Sequence, residues 1–337
     1  MTRTPLPAEG MTTRTSPKSA FGGLRAEKLR QVLAPAAIFA GLLAVVSIAE
    51  PTFLGGGGPS IIAQQATPIL LVALGQCVVL QIGSIDLSNA AMALLTTILA
   101  ALMLGPLGLA APVLCVAIVT TIGALNGALL VFAQIPSFAL TLGTLGVLQA
   151  ASLVVTGSNV VYVTDHLDVV DWLFNLSFLT IPAAFWITAA LAIVLWAFLR
   201  LTPAGQGMAA VGYNERAATL SGLPVKSLKV LTFALSGCFA GLAGLCVIAI
   251  SGAASSIGLG SDLLVPSIAA ALAGGTAITG GACNPVNVIF GALFVALIPV
   301  GSAAVGVDPQ AQSIVYGAVL IIAVAATLSR SRSGTVK

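Results

Sequence analysis

The chain has 337 residues, of which 58% are hydrophobic and 7% are charged, with a mean hydropathy of +1.10. Soluble domains carry about one quarter charged residues, so this composition excludes a water-solvated globule and leaves lipid as the solvent, where only helices and closed barrels satisfy the backbone. The net charge of +3 gives no electrostatic footprint for nucleic acid, and the continuous apolar runs at 187–198 and 315–328 lack the alternation of barrel strands. The fold class is therefore an all-α polytopic membrane protein.

In chain order, residues 1–30 form a basic tail, and residues 1–24 lack periodicity and are expected to be disordered. The apolar run at 32–49 is longer than a signal-peptide core and ends at Glu50-Pro51 without a small-residue cleavage site, so it is read as a span. Predicted spans follow at 31–49, 60–82, 88–104, 109–133, 137–156, 179–199, 229–250, 264–280, 286–304 and 310–328. The segment 157–178 is the longest outer connection and is expected to contain a short interfacial helix. Within the spans, GALNG at 123–127 and GCFAG at 237–241 are GxxxG arrangements, read as helix packing.

The positive charges orient these spans. Lys and Arg fall only at Arg3, Arg14, Lys18, Arg25, Lys28 and Arg30, then at Arg200, Arg216, Lys226 and Lys229, then at Arg330, Arg332 and Lys337. Cytoplasmic connections retain such residues. All three groups lie on one side if six spans occupy 31–199 and four occupy 230–329. That gives about ten crossings, both termini in the cytoplasm, one permease domain at 31–329 with a cytoplasmic loop at 201–228, and a short cytoplasmic tail at 330–337. Glu50, Asp165, Asp168, Asp171, Asp262 and Asp308 then all fall outside.

Residues able to carry chemistry are few. No HExxH, GxSxG or GxxxxGK[ST] occurs; without a phosphate-binding loop, ATP hydrolysis would belong to another polypeptide. Asp86, in QIGSIDLS at 81–88, is a carboxylate near the membrane, where charge is costly; with the turn placed near the cytoplasmic face, a cap by Asp86 or Ser88 on the following helix is preferred to a proton relay. Asn126, Thr141, Gln149 and Asn284 are polar groups in or beside spans, suited to interhelical bonds or to a path for a hydroxylated solute. The outer group Asp165, His166, Asp168 and Asp171 is the one candidate for a membrane enzyme and reads better as solvated loop. The five cysteines, Cys77, Cys115, Cys238, Cys246 and Cys283, read as small buried hydrophobes rather than metal or redox sites.

The loop at 201–228 is the most informative segment. Asn214 is a good N-cap with Glu215 beside the positive helix end, and Gly222 and Pro224 are stop signals. A helix of about two turns outside the membrane results, with Ala217 and Ala218 exposed as a small-residue face that could seat in the groove of a soluble motor.

Five segments in order complete the reading: GSIDLS at 83–88, GALNG at 123–127, IPSFALTLGT at 135–144, AVGYNERAATLSG at 210–222, and GGT with GG at 274–281. Together they resemble the permease subunits of bacterial ribose, xylose and other simple-sugar ABC importers, which are related to branched-chain amino-acid permeases. The resemblance covers about residues 60–328. Ser84, the stretch 149–151, the stretch 282–285 and the stretch 300–303 depart from the family pattern; the coupling segment does not.

The resemblance implies a bacterial inner-membrane complex with a second permease subunit (identical or different), cytoplasmic ABC ATPases and a periplasmic or lipid-anchored sugar-binding protein. It implies no cofactor in this chain, since ATP and Mg would reside in the ATPase. Residues 209–223 match the helix that docks on the ATPase, with Gly212, Asn214, Glu215, Arg216, Ala217, Ala218 and Gly222 as coupling residues. Asp86, Ser88, Asn126, Phe138, Thr141, Thr276 and Asn284 become candidates for the translocation path or its gate. An ion-coupled secondary transporter using Asp86 is the alternative, disfavoured by the scarcity of ionisable groups within the spans.

Overall fold

The computed structural model describes residues 17–256 and 261–327. Among these residues the chain forms α1 (Pro17–Ala49), α2 (Gly58–Gln81), α3 (Asn89–Leu107), α4 (Ala110–Ala133), α5 (Ser137–Thr156), α6 (Asp168–Asn175), α7 (Ala183–Leu201), α8 (Pro203–Tyr213), α9 (Glu215–Leu220), α10 (Val225–Ser251), α11 (Leu264–Ala273), α12 (Pro285–Ala304) and α13 (Pro309–Thr327). Two-residue strand pairs join 161–162 to 253–254 and 177–178 to 181–182. Seven helices, α2, α3, α4, α5, α7, α10 and α12, are long and apolar enough to cross a membrane, and the described apolar parts of α1, α11 and α13 are shorter. The protein is a multi-pass α-helical membrane protein.

Two expectations about elements change. Helix α1 begins at Pro17, so residues 17–24, expected without structure, are helical; proline suits a helix start because its missing N–H is unpaired there anyway. The basic residues of 1–16 and 328–337 lie outside the described residues. The span expected at 264–280 stops at Ala273. Ten helical residues reach only about 15 Å, and the chain then runs irregularly through Gly275, Gly280 and Gly281, whose φ values are +83°, +92° and +80°.

Helix α10 lies at the centre, packed on α2, α3 and α4, and α12 packs on α1, α2 and α11. Lipid offers no hydrophobic drive for helices to associate, so close backbone approach carries more of the packing. The two GxxxG arrangements supply it by facing each other. A Cβ on Gly123 would stand 2.3 Å from the Phe233 carbonyl oxygen, and one on Gly237 would stand 2.5 Å from that of Val119. Helix α5 sits at the rim, and its buried positions are only Thr141, Leu148, Ser152 and Thr156.

The bundle has two chemically distinct ends. Arg200, Arg216, Lys226 and Lys229 lie at the end where α2, α4 and α7 stop and α5 and α10 start. Glu50, Asp165, Asp168, Asp171 and Asp308 lie at the opposite end.

Candidate functional site

The basic end is built from its caps. Thr202 caps α8 by accepting from the Gly205 amide at 3.1 Å, with Pro203 in the first turn. Asn214 has extended backbone (φ −162°), which breaks the helix; its Oδ1 then accepts from the Ala217 amide at 3.0 Å and starts α9. One short helix was expected here; two form, because Thr202-Pro203 supplies a start signal of its own. Glu215 ion-pairs with Lys229 at 2.6 Å, and Gly222, at φ +79°, terminates the segment. Tyr213, Arg216, Ala217 and Leu220 are exposed, Leu220 at 88%. Ala218, expected to be exposed, is buried, since α9 lies back against α8 and α10. Replacing Asn214 with alanine should cost about 1 kcal/mol; faster hydrogen exchange at the Ala217 amide would register it, and unchanged exchange would show that the cap holds nothing.

Behind α8 and α9 three stretches of backbone meet. The Gly281 amide donates to the Gln81 carbonyl at 2.8 Å. A Cβ on Gly212 would stand 1.9 Å from that carbonyl oxygen and 2.4 Å from the Gly281 nitrogen, and one on Gly280 would stand 2.8 Å from the Gly212 carbonyl oxygen and 2.9 Å from the Gly83 nitrogen. The buried Gln81 side chain adds a bond from Nε2 to the Gly205 carbonyl at 3.3 Å. At Gly212 the end of α8, the end of α2 and the 274–284 loop therefore touch main chain to main chain, while the Tyr213 ring packs on Gly281.

Beyond Gln81 the chain turns back into the bundle. Ser236, the partner of Asp86, is eleven residues past the start of α10, about 16 Å along the helix axis. The 82–88 segment thus starts at the basic surface, where Gly83 is exposed, and runs as non-helical backbone to the buried Asp86 and Ser88 at depth, whereas a turn near the surface was expected. Such backbone is tolerated only where protein satisfies its polar groups. The Ile85 amide donates to Ser137 Oγ and the Leu87 amide to Thr141 Oγ1, both at 3.1 Å.

Asp86 takes backbone amides at the start of α3, those of Ser88 and Asn89, as expected of a cap, and it also reaches α10. Its Oδ1 accepts from the Ser88 amide at 2.9 Å and the Ser88 hydroxyl at 2.6 Å, and its Oδ2 accepts from the Ser236 hydroxyl at 2.8 Å. Ser88 occupies the N-cap position of α3 but makes no side-chain cap bond. Its Oγ accepts from Asn126 Nδ2 at 3.0 Å, while Asn126 Oδ1 accepts from the Thr144 hydroxyl at 2.8 Å. A continuous network, Ser236–Asp86–Ser88–Asn126–Thr144, ties α10, the 82–88 segment, α4 and α5 together. Asp86, Ser88 and Thr141 have no exposed surface and Asn126 has 3%, and in this chain they bond helices together.

Residues 58–324 match the family model described as the branched-chain amino acid transport system / permease component. The chain belongs to this family. The permease is 31% identical to the ribose import permease protein of Haemophilus influenzae over 291 residues, covering 85% of this chain and 89% of that one. Its identity to the ribose import permease protein of Bacillus subtilis is 32% over 295 residues (87% and 90%). To the D-allose transport system permease protein of Escherichia coli K12 it is 32% over 283 residues (83% and 86%). No solved structure matches.

The other expected site residues of the permease lie apart from the network. Phe138 projects outward from the first turn of α5, 54% exposed. Thr276 and Asn284 lie on the 274–284 loop; the Thr276 hydroxyl approaches Cys77 Sγ at 3.5 Å, and the buried Asn284 Oδ1 has no hydrogen-bond partner. The cysteine reading needs a correction: Cys77 of α2 and Cys283 form a disulfide across 206 residues, which anchors the same loop to α2, while Cys115, Cys238 and Cys246 are free. Among the described residues no group of three or more His, Cys, Asp or Glu is placed to hold a metal ion.

Sequence reasoning missed Gln81, Ser137, Thr144, Ser236 and Gly281. Thr144 and Gly281 lie inside the quoted motifs and Ser137 inside IPSFALTLGT, so the motifs themselves were the signal. Ser236 offered only its polarity in an apolar run.

Proposed function

We propose that this permease is the membrane-spanning subunit of an ATP-driven sugar importer in a bacterial inner membrane. Its basic end, with Arg200, Arg216, Lys226 and Lys229, faces the cytoplasm by the positive-inside rule. The seven long helices together with α1, α13 and the stretch made of α11 and the 274–284 loop make ten crossings, and both termini are cytoplasmic. A simple sugar is the solute class: relatives named for ribose and D-allose import support it, as does the IDLS turn at 85–88. A binding protein delivers the solute at the acidic end, and separate ATPases, which carry ATP and Mg, drive transport.

The observation that carries this reading is the capped helix α9 at the basic end, exposed at Ala217 and Leu220 and backed by the main-chain junction at Gly212. It gives the basic end of the bundle a capped helix whose exposed face holds Ala217 and Leu220. A second permease subunit would cover α5, whose outward face holds Ala139, Gly143, Gly146 and Gln149. Small residues let another helix come close, and an amide on that face gains more from a protein partner than from lipid.

Affinity purification of the permease coexpressed with an ABC ATPase and a sugar-binding protein of the same organism tests the proposal. The ATPase should copurify, and Ala217→Trp should cut its recovery at least tenfold while the membrane content of the permease stays unchanged. Full recovery with Ala217→Trp would refute docking on α9.

A further inference from the structure

Of the helices long enough to cross the membrane, α5 has the smallest buried share. Three of its four buried positions, Thr141, Ser152 and Thr156, are hydroxyls, and the fourth is Leu148. Beyond Leu148, its apolar hold on this chain is limited to the half-buried Leu140 and Leu145. Elements with few buried apolar contacts are the ones that shift at low cost. What fixes the basic half of α5 is hydrogen bonding. Ser137 and Thr141 accept the Ile85 and Leu87 amides, Thr141 Oγ1 also lies 3.3 Å from the Ile85 carbonyl, and Thr144 donates to Asn126. The backbone these residues grip, 82–88, leads directly from the Gln81 carbonyl, which meets Gly212 and Gly281 at the root of the docking segment.

From this we infer that Thr141 and Thr144 are positioning residues for transport: they act as hooks through which movement of the docking segment α8–α9 is delivered to α5. The inference rests on the importer reading and extends it. Main-chain contact at Gly212 transmits displacement with little loss, because a close-packed junction has no soft side chain to absorb it. The 82–88 segment moves with α2 and the 274–284 loop. Helix α5, held to this chain's core mainly by Leu140, Leu145 and Leu148, follows its hydrogen bonds, and its small-residue outward face moves relative to the subunit that covers it. Asp86 and Asn126 keep the segment and α4 in register with α10 and α5, so the hooks pull in one direction.

The test uses the whole complex of permease, ATPase and binding protein in nanodiscs, with Leu142→Cys as an exposed reporter on α5. Maleimide labelling at residue 142 is read by peptide mass spectrometry with and without ATP and vanadate. In the parent complex nucleotide should change the labelling rate at least fivefold. In the Thr141→Val, Thr144→Val pair, which keeps side-chain shape and removes both hydroxyls, that change should fall below twofold while ATP hydrolysis stays within twofold of the parent. The Thr141→Ser, Thr144→Ser pair should restore it.

A nucleotide response that persists in the valine pair would overturn the inference. So would its absence in a parent complex that hydrolyses ATP, or a parallel loss of hydrolysis, which would mark a general structural role. A parent that retains no ATPase at all would instead defeat the importer reading on which the inference stands.

Discussion

Gly212→Val is expected to lower the amount of folded permease in the membrane at least tenfold, measured by fluorescence-detected gel filtration of detergent extracts. The cause is space, not conformation. Gly212 lies in α8, and its φ is not in the left-handed range, so the backbone would accept any residue. A Cβ there, however, stands 1.9 Å from the Gln81 carbonyl oxygen and 2.4 Å from the Gly281 nitrogen. Overpacking among side chains costs about 1–3 kcal/mol because rotamers can shift; here both obstacles are main chain and are hydrogen-bonded to each other. The substitution would open the Gly281–Gln81 bond or push α8 off the bundle. Gly143→Ala on the outward face of α5, with nothing within 4 Å of its Cβ position, is the control and should leave the folded amount unchanged. Equal yields for Gly212→Val and Gly143→Ala would mean that the three stretches are not in contact.

The bundle was legible because hydropathy is local and additive. The expected spans at 109–133 and 137–156 coincide with α4 and α5 to within a residue. The cap at Asn214 was legible for the same reason, since an N-cap needs only its own helix. Hydropathy failed where the run stayed apolar but the backbone did not stay helical. AAALAGGTAITG at 269–280 reads as one span, yet its helix stops at Ala273, the glycines beyond it bond locally, and the Gly281 amide finds its partner in the Gln81 carbonyl 200 residues away. The depth of Asp86 failed likewise. A carboxylate after an apolar helix looks like a surface turn until Ser236, 150 residues later, is known to meet it. The burial of Ala218 and the Cys77–Cys283 pair are of the same kind, set by tertiary contact and invisible to any window along the chain.

Asp86 separates two accounts of transport, and its two substitutions are expected to differ sharply. With leucine at this position, the Ser88 amide, the Ser88 hydroxyl and the Ser236 hydroxyl lose their acceptor. A buried donor left without a partner costs about 1–3 kcal/mol. The Ser236 hydroxyl can turn back to the carbonyl four residues earlier, as serines in helices do, but the Ser88 amide has no such recourse. A loss of about 3–5 kcal/mol is therefore expected for Asp86→Leu, with the thermal midpoint of the purified permease dropping accordingly. Asparagine keeps an oxygen for both Ser88 donors and turns an amide toward Ser236 Oγ, which can accept. Asp86→Asn should cost about 1 kcal/mol and leave ATP-driven uptake within threefold of the parent. A proton or ion relay demands the opposite, because an amide cannot cycle a proton however well it packs. Stable Asp86→Asn protein that has lost uptake would return the secondary-transporter account to the front. Retained uptake would fix Asp86 as the acceptor that ties the re-entrant segment to α10, a role set by the shape of the group and not by its charge.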